Sequence, residues 1–148
     1  MKHLAAMDGS YFGLVFGHPF PGGFPSWADD ALPNADLWAT ADESSADLID
    51  LYQRVWEHSD ATIDALDLEA PGFVPWWMEK SKNTTLGRIL VHVIAETQRH
   101  LGHADIVREL TDGEAGTRAN NSNLADGDKR WWAEYRNEVE ATALRFRE

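Results

Sequence analysis

Residues 85–110 read Thr85-Leu86-Gly87-Arg88-Ile89-Leu90-Val91-His92-Val93-Ile94-Ala95-Glu96-Thr97-Gln98-Arg99-His100-Leu101-Gly102-His103-Ala104-Asp105-Ile106-Val107-Arg108-Glu109-Leu110. Leu86, Ile89 or Leu90, Val93, Thr97, Leu101, Ala104 and Val107 recur at three- and four-residue intervals, which lines them along one helical face. The spacing predicts a helix that begins near Thr84 or Thr85 and stops before Gly113. Glu96 and His100 are separated by four positions and stack one turn apart beside that stripe. A carboxylate and an imidazole directed into a helical core are costly unless they are paired or bound to a cation. Together they offer one oxygen and one nitrogen ligand, a set compatible with Zn, Mn, Fe or Ni. Two ligands do not complete a site; a third must arrive from another helix, leaving a coordination position open.

The same spacing also permits a plainer reading, in which Glu96 and His100 bond to each other or to Arg99 and Arg108 on a helix surface. It is neither His-Glu-x-x-His nor the doubled Glu-x-x-His of dimetal bundles. No phosphate-binding glycine loop or Gly-x-Ser-x-Gly elbow is present. His92 and His103 read as solvent-facing or capping residues, and His18 and His58 as surface residues. Trp76-Trp77 and Trp131-Trp132 read as packing pairs.

Working outward, Leu4, Met7, Tyr11, Leu14 and Val15 predict a helix over 2–16, broken by Gly17, Pro19, Pro21, Gly22, Gly23 and Pro25. The long loop 17–40 carries Phe20, Phe24, Trp27, Leu32, Leu37 and Trp38, and is expected to pack rather than hang in water. Thr40 with Glu43 has the form of a capping box, opening a helix over 40–67 with Leu48, Tyr52, Val55, Ser59, Ile63 and Leu66 inward. A last helix over 128–147 is expected to bury Trp132, Tyr135, Val139 and Phe146. No strand-like alternation is visible. The reading is a single all-α domain over 1–148.

The totals set limits. Acidic residues number 25 against 13 Lys plus Arg, a net charge of −12, which disfavours nucleic-acid binding. The chain has no cysteine, so disulfides, Cys-zinc sites and a cysteine nucleophile are excluded and any metal must be held by His and carboxylates. No apolar run spans a membrane, and the first residues make a poor signal peptide, so cytoplasmic residence is expected.

On the 85–110 run, the early Lys2-His3-Leu4-Ala5 and the segment 33–43, the chain resembles the DinB-like superfamily of metal-binding four-helix bundles, most closely its actinobacterial mini-circle branch. The resemblance implies an up-down-down-up bundle with a mononuclear divalent metal, zinc or nickel, held by one His from an early helix and two ligands on a later one. Mycothiol-dependent maleylpyruvate isomerases use Glu-x-x-x-His for the later pair, and this sequence looks like that variant. Carried over by position, the ligands are His3, Glu96 and His100. Family members carry a further helix before the Lys-His-Leu segment, whereas this chain starts at Met1. The expectation is therefore a bundle lacking its first wall, with His3 on a fraying helix end and the wall supplied by an upstream segment or by a second subunit in a homodimer.

Three functions fit. The first is a metal-dependent enzyme that uses a low-molecular-weight thiol such as mycothiol for S-transfer to a small electrophile, or for thiol-assisted isomerisation, with Arg99, Arg108 or Arg130 available to an anionic group. The second is a hydrolase in which metal-bound water attacks and Glu96 or His103 relays protons. The third is a non-catalytic metal- or ligand-binding stress-response module.

Overall fold

The computed structural model describes residues 1–28, 31–116, 118, 121–122 and 124–147. It is mostly helical and divides into two compact units, Met1–His100 and Leu101–Glu148.

The first unit is built around its N-terminal helical run. Helix α1 (Lys2–Asp8) passes into a π-helical turn at Gly9–Gly13 and a 3-10 turn at Leu14–Phe16, which ends at left-handed Gly17. The helix expected over 2–16 is thus present as a run of changing pitch. Ala5, Ala6, Met7, Tyr11, Phe12 and Val15 are all buried, whereas Leu14 is exposed. A helix buried on nearly all sides needs small residues where neighbours press closest. A Cβ on Gly9 would stand 2.4 Å from the ring tip of Phe24. The first turn is also tied down: Lys2 Nζ bonds Glu43 at 2.8 Å and lies near the carbonyl of Trp38. That bond joins the end expected to fray to the loop before α2.

Helix α2 (Ser45–Ala65) starts later than expected, because the capping box that opens it is Ser44 with Asp47. Asp47 N–H donates to Ser44 Oγ at 3.1 Å, and Ser44 N–H donates to Asp47 Oδ2 at 3.0 Å. Thr40 and Glu43 make half of an identical pattern, Thr40 N–H donating to Glu43 Oε2, but the Glu43 carboxylate is shared with Lys2 and the chain turns there without entering the helix. Of the stripe expected inward on α2, Val55 and Ser59 are buried, joined by Thr62.

Between α2 and the next helix lies a short antiparallel ladder, β1 (Pro71–Phe73) with β2 (Asn83–Thr85), in register Gly72 opposite Thr84. The expectation of no strands is corrected here; three residues are too few to show a two-residue alternation. The ladder delivers Val74, fully buried, and Trp77 into the core. Helix α3 (Leu86–Asp112) follows at once. Its first N–H groups, which have no partner within the helix, donate to carbonyls of the preceding loop: Leu86 N to Ala70 O and Gly87 N to Leu68 O. Leu86, Ile89 and Val93 join Met7, Tyr11, Phe12, Val15 and Val74 in the main core, and Phe20 packs with Ala5 and Val55 in a second cluster. Phe20 and Phe24 thus pack as expected of the 17–40 loop, whereas Leu32, Leu37 and Trp38 are exposed.

The second unit holds the C-terminal turns of α3 and helix α4 (Lys129–Leu144), capped by Asp128 Oδ1, which accepts from Trp131 N at 2.8 Å. Two expectations are corrected. Leu101 and Val107 of the α3 stripe are exposed, and so are Tyr135, Val139 and Phe146 of the last helix. Trp131 and Tyr135 stack on one another at the surface, with ring planes within 7°. Apolar periodicity marks a face that can pack; it does not supply the partner.

Candidate metal and thiol site

His3 sits in the first turn of α1 and His100 lies 97 residues later, in α3, yet their ring centroids lie 4.6 Å apart in an edge-on arrangement. Both side chains are half-buried. His3 is held from behind by Asp36, whose Oδ2 is bonded to His3 Nδ1. Burial alone would raise the Asp36 carboxyl, but hydrogen bonds from His3 and Trp27 outweigh it and hold the group below its ordinary value. Asp36 is therefore a carboxylate and can only accept. The proton in the bond belongs to His3 Nδ1, which leaves Nε2 as the nitrogen able to act as a ligand. A carboxylate behind a histidine is the usual orienting partner of a metal-binding imidazole.

Glu96 is one helical turn before His100 on α3 and is half-buried. Among the described residues no three His, Asp or Glu side chains converge into a metal-holding group. The structure thus brings His3 and His100 together, while Glu96 stands on the adjoining turn. The donor chemistry, two imidazoles from separate helices with a carboxylate near one of them, suits a borderline divalent cation such as zinc or nickel.

A cavity of about 550 Å³ is lined by Gly9, Phe20, Phe24, Trp27 and Trp76 among others. Trp27 belongs to both places: its ring is 6.1 Å from that of His3 and it helps form the cavity wall. Of the arginines considered for an anionic group, Arg108 pairs with Asp112 and Arg130 with Glu134.

Several residues are more connected than their sequence suggested. His92, expected to face solvent, bonds the buried Tyr11 hydroxyl at 2.9 Å. The same oxygen accepts from Trp76 Nε1 at 3.3 Å and Trp77 Nε1 at 3.1 Å. With both lone pairs taken, the Tyr11 O–H donates to His92 Nε2. His58, expected at the surface without a partner, bonds the carbonyl of His18 at 2.7 Å and packs edge-on against Phe20. Asp36 lay in a segment already noted, but no local spacing marks it as the partner of His3.

A mostly helical chain, with two histidines meeting across helices and an aromatic cavity that shares Trp27 with them, defines the class. Within it, the chain belongs to the mycothiol-S-transferase family, a DinB-like family whose model matches residues 1–113. No curated protein and no solved structure matches the chain. No helix of the described residues is long and apolar enough to cross a membrane.

Proposed function

We propose that the protein transfers a low-molecular-weight thiol of the mycothiol type onto a small, largely apolar electrophile, with His3, Glu96 and His100 holding a divalent cation. The observation that carries the reading is the contact of His3 with His100, with Asp36 fixing the His3 tautomer, inside the segment that matches the family. A bound divalent cation would supply Lewis acidity that favours the thiolate, the nucleophilic form of the thiol.

The chain's own residues do the rest. Asp36 accepts from Nδ1 of His3 and orients the ring. Trp27 couples the position of that ring to the wall of the 550 Å³ cavity. Phe20 and Phe24, stacked with ring planes within 13°, offer apolar surface on which the carbon skeleton of an electrophile can rest. In the reaction the thiol gives its proton to solvent water, its sulfur forms a bond to the electrophilic carbon, and the leaving group departs from that carbon with the electron pair.

The test is metal content by mass spectrometry on untagged protein, beside His3→Ala, Glu96→Ala and His100→Ala, followed by turnover with mycothiol and an apolar electrophile. Near-stoichiometric metal in the wild type, lost in all three variants together with thiol conjugation, supports the assignment. Retained metal in Glu96→Ala moves the third ligand elsewhere. Wild type that neither carries nor takes up zinc or nickel ends it. A ligand-binding module without catalysis is the second reading, supported by the aromatic lining of the 550 Å³ cavity.

A further inference from the structure

Helices α1, α2 and α3 frame a second groove of about 350 Å³, whose walls include Asp8, Phe12, Tyr52, Trp56, Ser59 and Asp60. Three observations there point to a ligand. Asp8 is 9% exposed, accepts a hydrogen bond from the Trp56 side chain, and belongs to no ion pair among the described residues. Asp60 lies close enough for its charge to oppose that of Asp8. Ser59 is 3% exposed and its hydroxyl has no hydrogen-bond partner. Beside them, the rings of Tyr52 and Trp56 lie 4.5 Å apart, tilted by 48°.

We propose that this groove binds a protonated organic amine, its ammonium set against Asp8 and Asp60 and its hydrocarbon part against Tyr52 and Trp56. The chemistry of the walls selects that class. Two neighbouring carboxylates, one of them buried, are stabilised by a positive charge between them, whereas leaving a buried charge uncompensated is costly. Ser59 Oγ is available to accept an N–H from the same ammonium. Aromatic faces attract cations, most strongly where water is excluded. Two carboxylates among aromatic and aliphatic side chains are too few oxygen ligands for calcium or magnesium, but they match a single ammonium carried on a hydrocarbon body. Burial, with the added repulsion of Asp60, raises the Asp8 carboxyl to about 6 in spite of the Trp56 bond, so it is mostly ionised at neutral pH and can pair with an ammonium. The net charge of −12 draws cations towards the molecule.

The test is calorimetric titration near neutral pH with benzylamine and with benzyl alcohol, its uncharged counterpart, on wild type, Asp8→Asn and Asp60→Asn. Circular dichroism confirms the fold of each variant, and Asp60, being exposed, is replaceable without loss of fold. The expected result is saturable benzylamine binding, with benzyl alcohol weaker by about tenfold or more, and a loss of similar size for benzylamine in either variant. Equal binding of the two probes would reduce the groove to a plain apolar crevice. No benzylamine binding by folded wild type, or unchanged affinity in both variants, would overturn the proposal outright.

Discussion

Asp36 grips Nδ1 of His3 across 33 residues of sequence, and in doing so decides which nitrogen of that histidine is free to meet a metal or a substrate. The bond joins a loop to the first turn of α1. It holds the half-buried His3 ring against that loop.

Replacing Asp36 by Ala therefore removes the orienting partner and leaves both candidate imidazoles in place. Metal affinity, measured by competition with a chromogenic chelator, is expected to fall roughly ten- to a hundredfold. The far-ultraviolet circular dichroism is expected to stay unchanged. An affinity equal to wild type would show that Asp36 holds the loop and has no bearing on the metal.

Asp8 makes stability depend on pH in an uncommon direction. Its folded-state value, raised to about 6 from 3.8, means that the folded protein prefers the protonated acid. The favourable contribution is complete below the unfolded value and is lost as pH rises through about 6. Asp8→Asn is expected to melt higher than wild type at pH above about 7, with the gap closing towards pH 4 and below. Thermal melts of the pair across that range check it, since the difference between them removes the other titrating groups.

Tyr11→Phe deletes one oxygen and orphans three groups: the indole N–H of Trp76, that of Trp77, and Nε2 of His92. Trp77 and His92 are half-buried, so water replaces the lost bonds only in part. A loss of roughly 1–3 kcal/mol is expected by urea unfolding. An unchanged midpoint would mean that solvent reaches all three.

Gly9→Ala places a methyl group against the ring of Phe24, where the Cβ would be 2.4 Å from Cζ. Phe24 is stacked on Phe20 and packs edge-on against Trp27, so it cannot swing aside without disturbing the wall of the larger cavity. The substitution is expected to cost roughly 1–3 kcal/mol. If the cavity receives the electrophile, KM for a bulky acceptor is expected to rise more than kcat falls. Steady-state kinetics with a small and a bulky acceptor separates the two effects.

Helix α3 was legible from its sequence at both ends, because apolar spacing, the glycine at 113 and the four-residue spacing of Glu96 and His100 are all properties of one helix. The body of α2 was legible for the same reason, and its start was missed because two similar capping boxes stand in tandem and only Ser44 with Asp47 opens the helix. The sequence also excluded cysteine chemistry and, through a resemblance over most of the chain, pointed to the family that the match over residues 1–113 shows. Helical spacing is local geometry, fixed within a few residues, and so can be read from the chain alone. Contacts across elements are of another kind. The meeting of His3 with His100, the grip of Asp36, the three-way bonding of the Tyr11 hydroxyl, and the acidic aromatic groove at Asp8 and Ser59 join residues far apart in sequence, and each depends on how α1, α2, α3 and their loops dock. Only the tertiary structure decides them, because burial and docking, not spacing, set which polar groups lose water and must find one another.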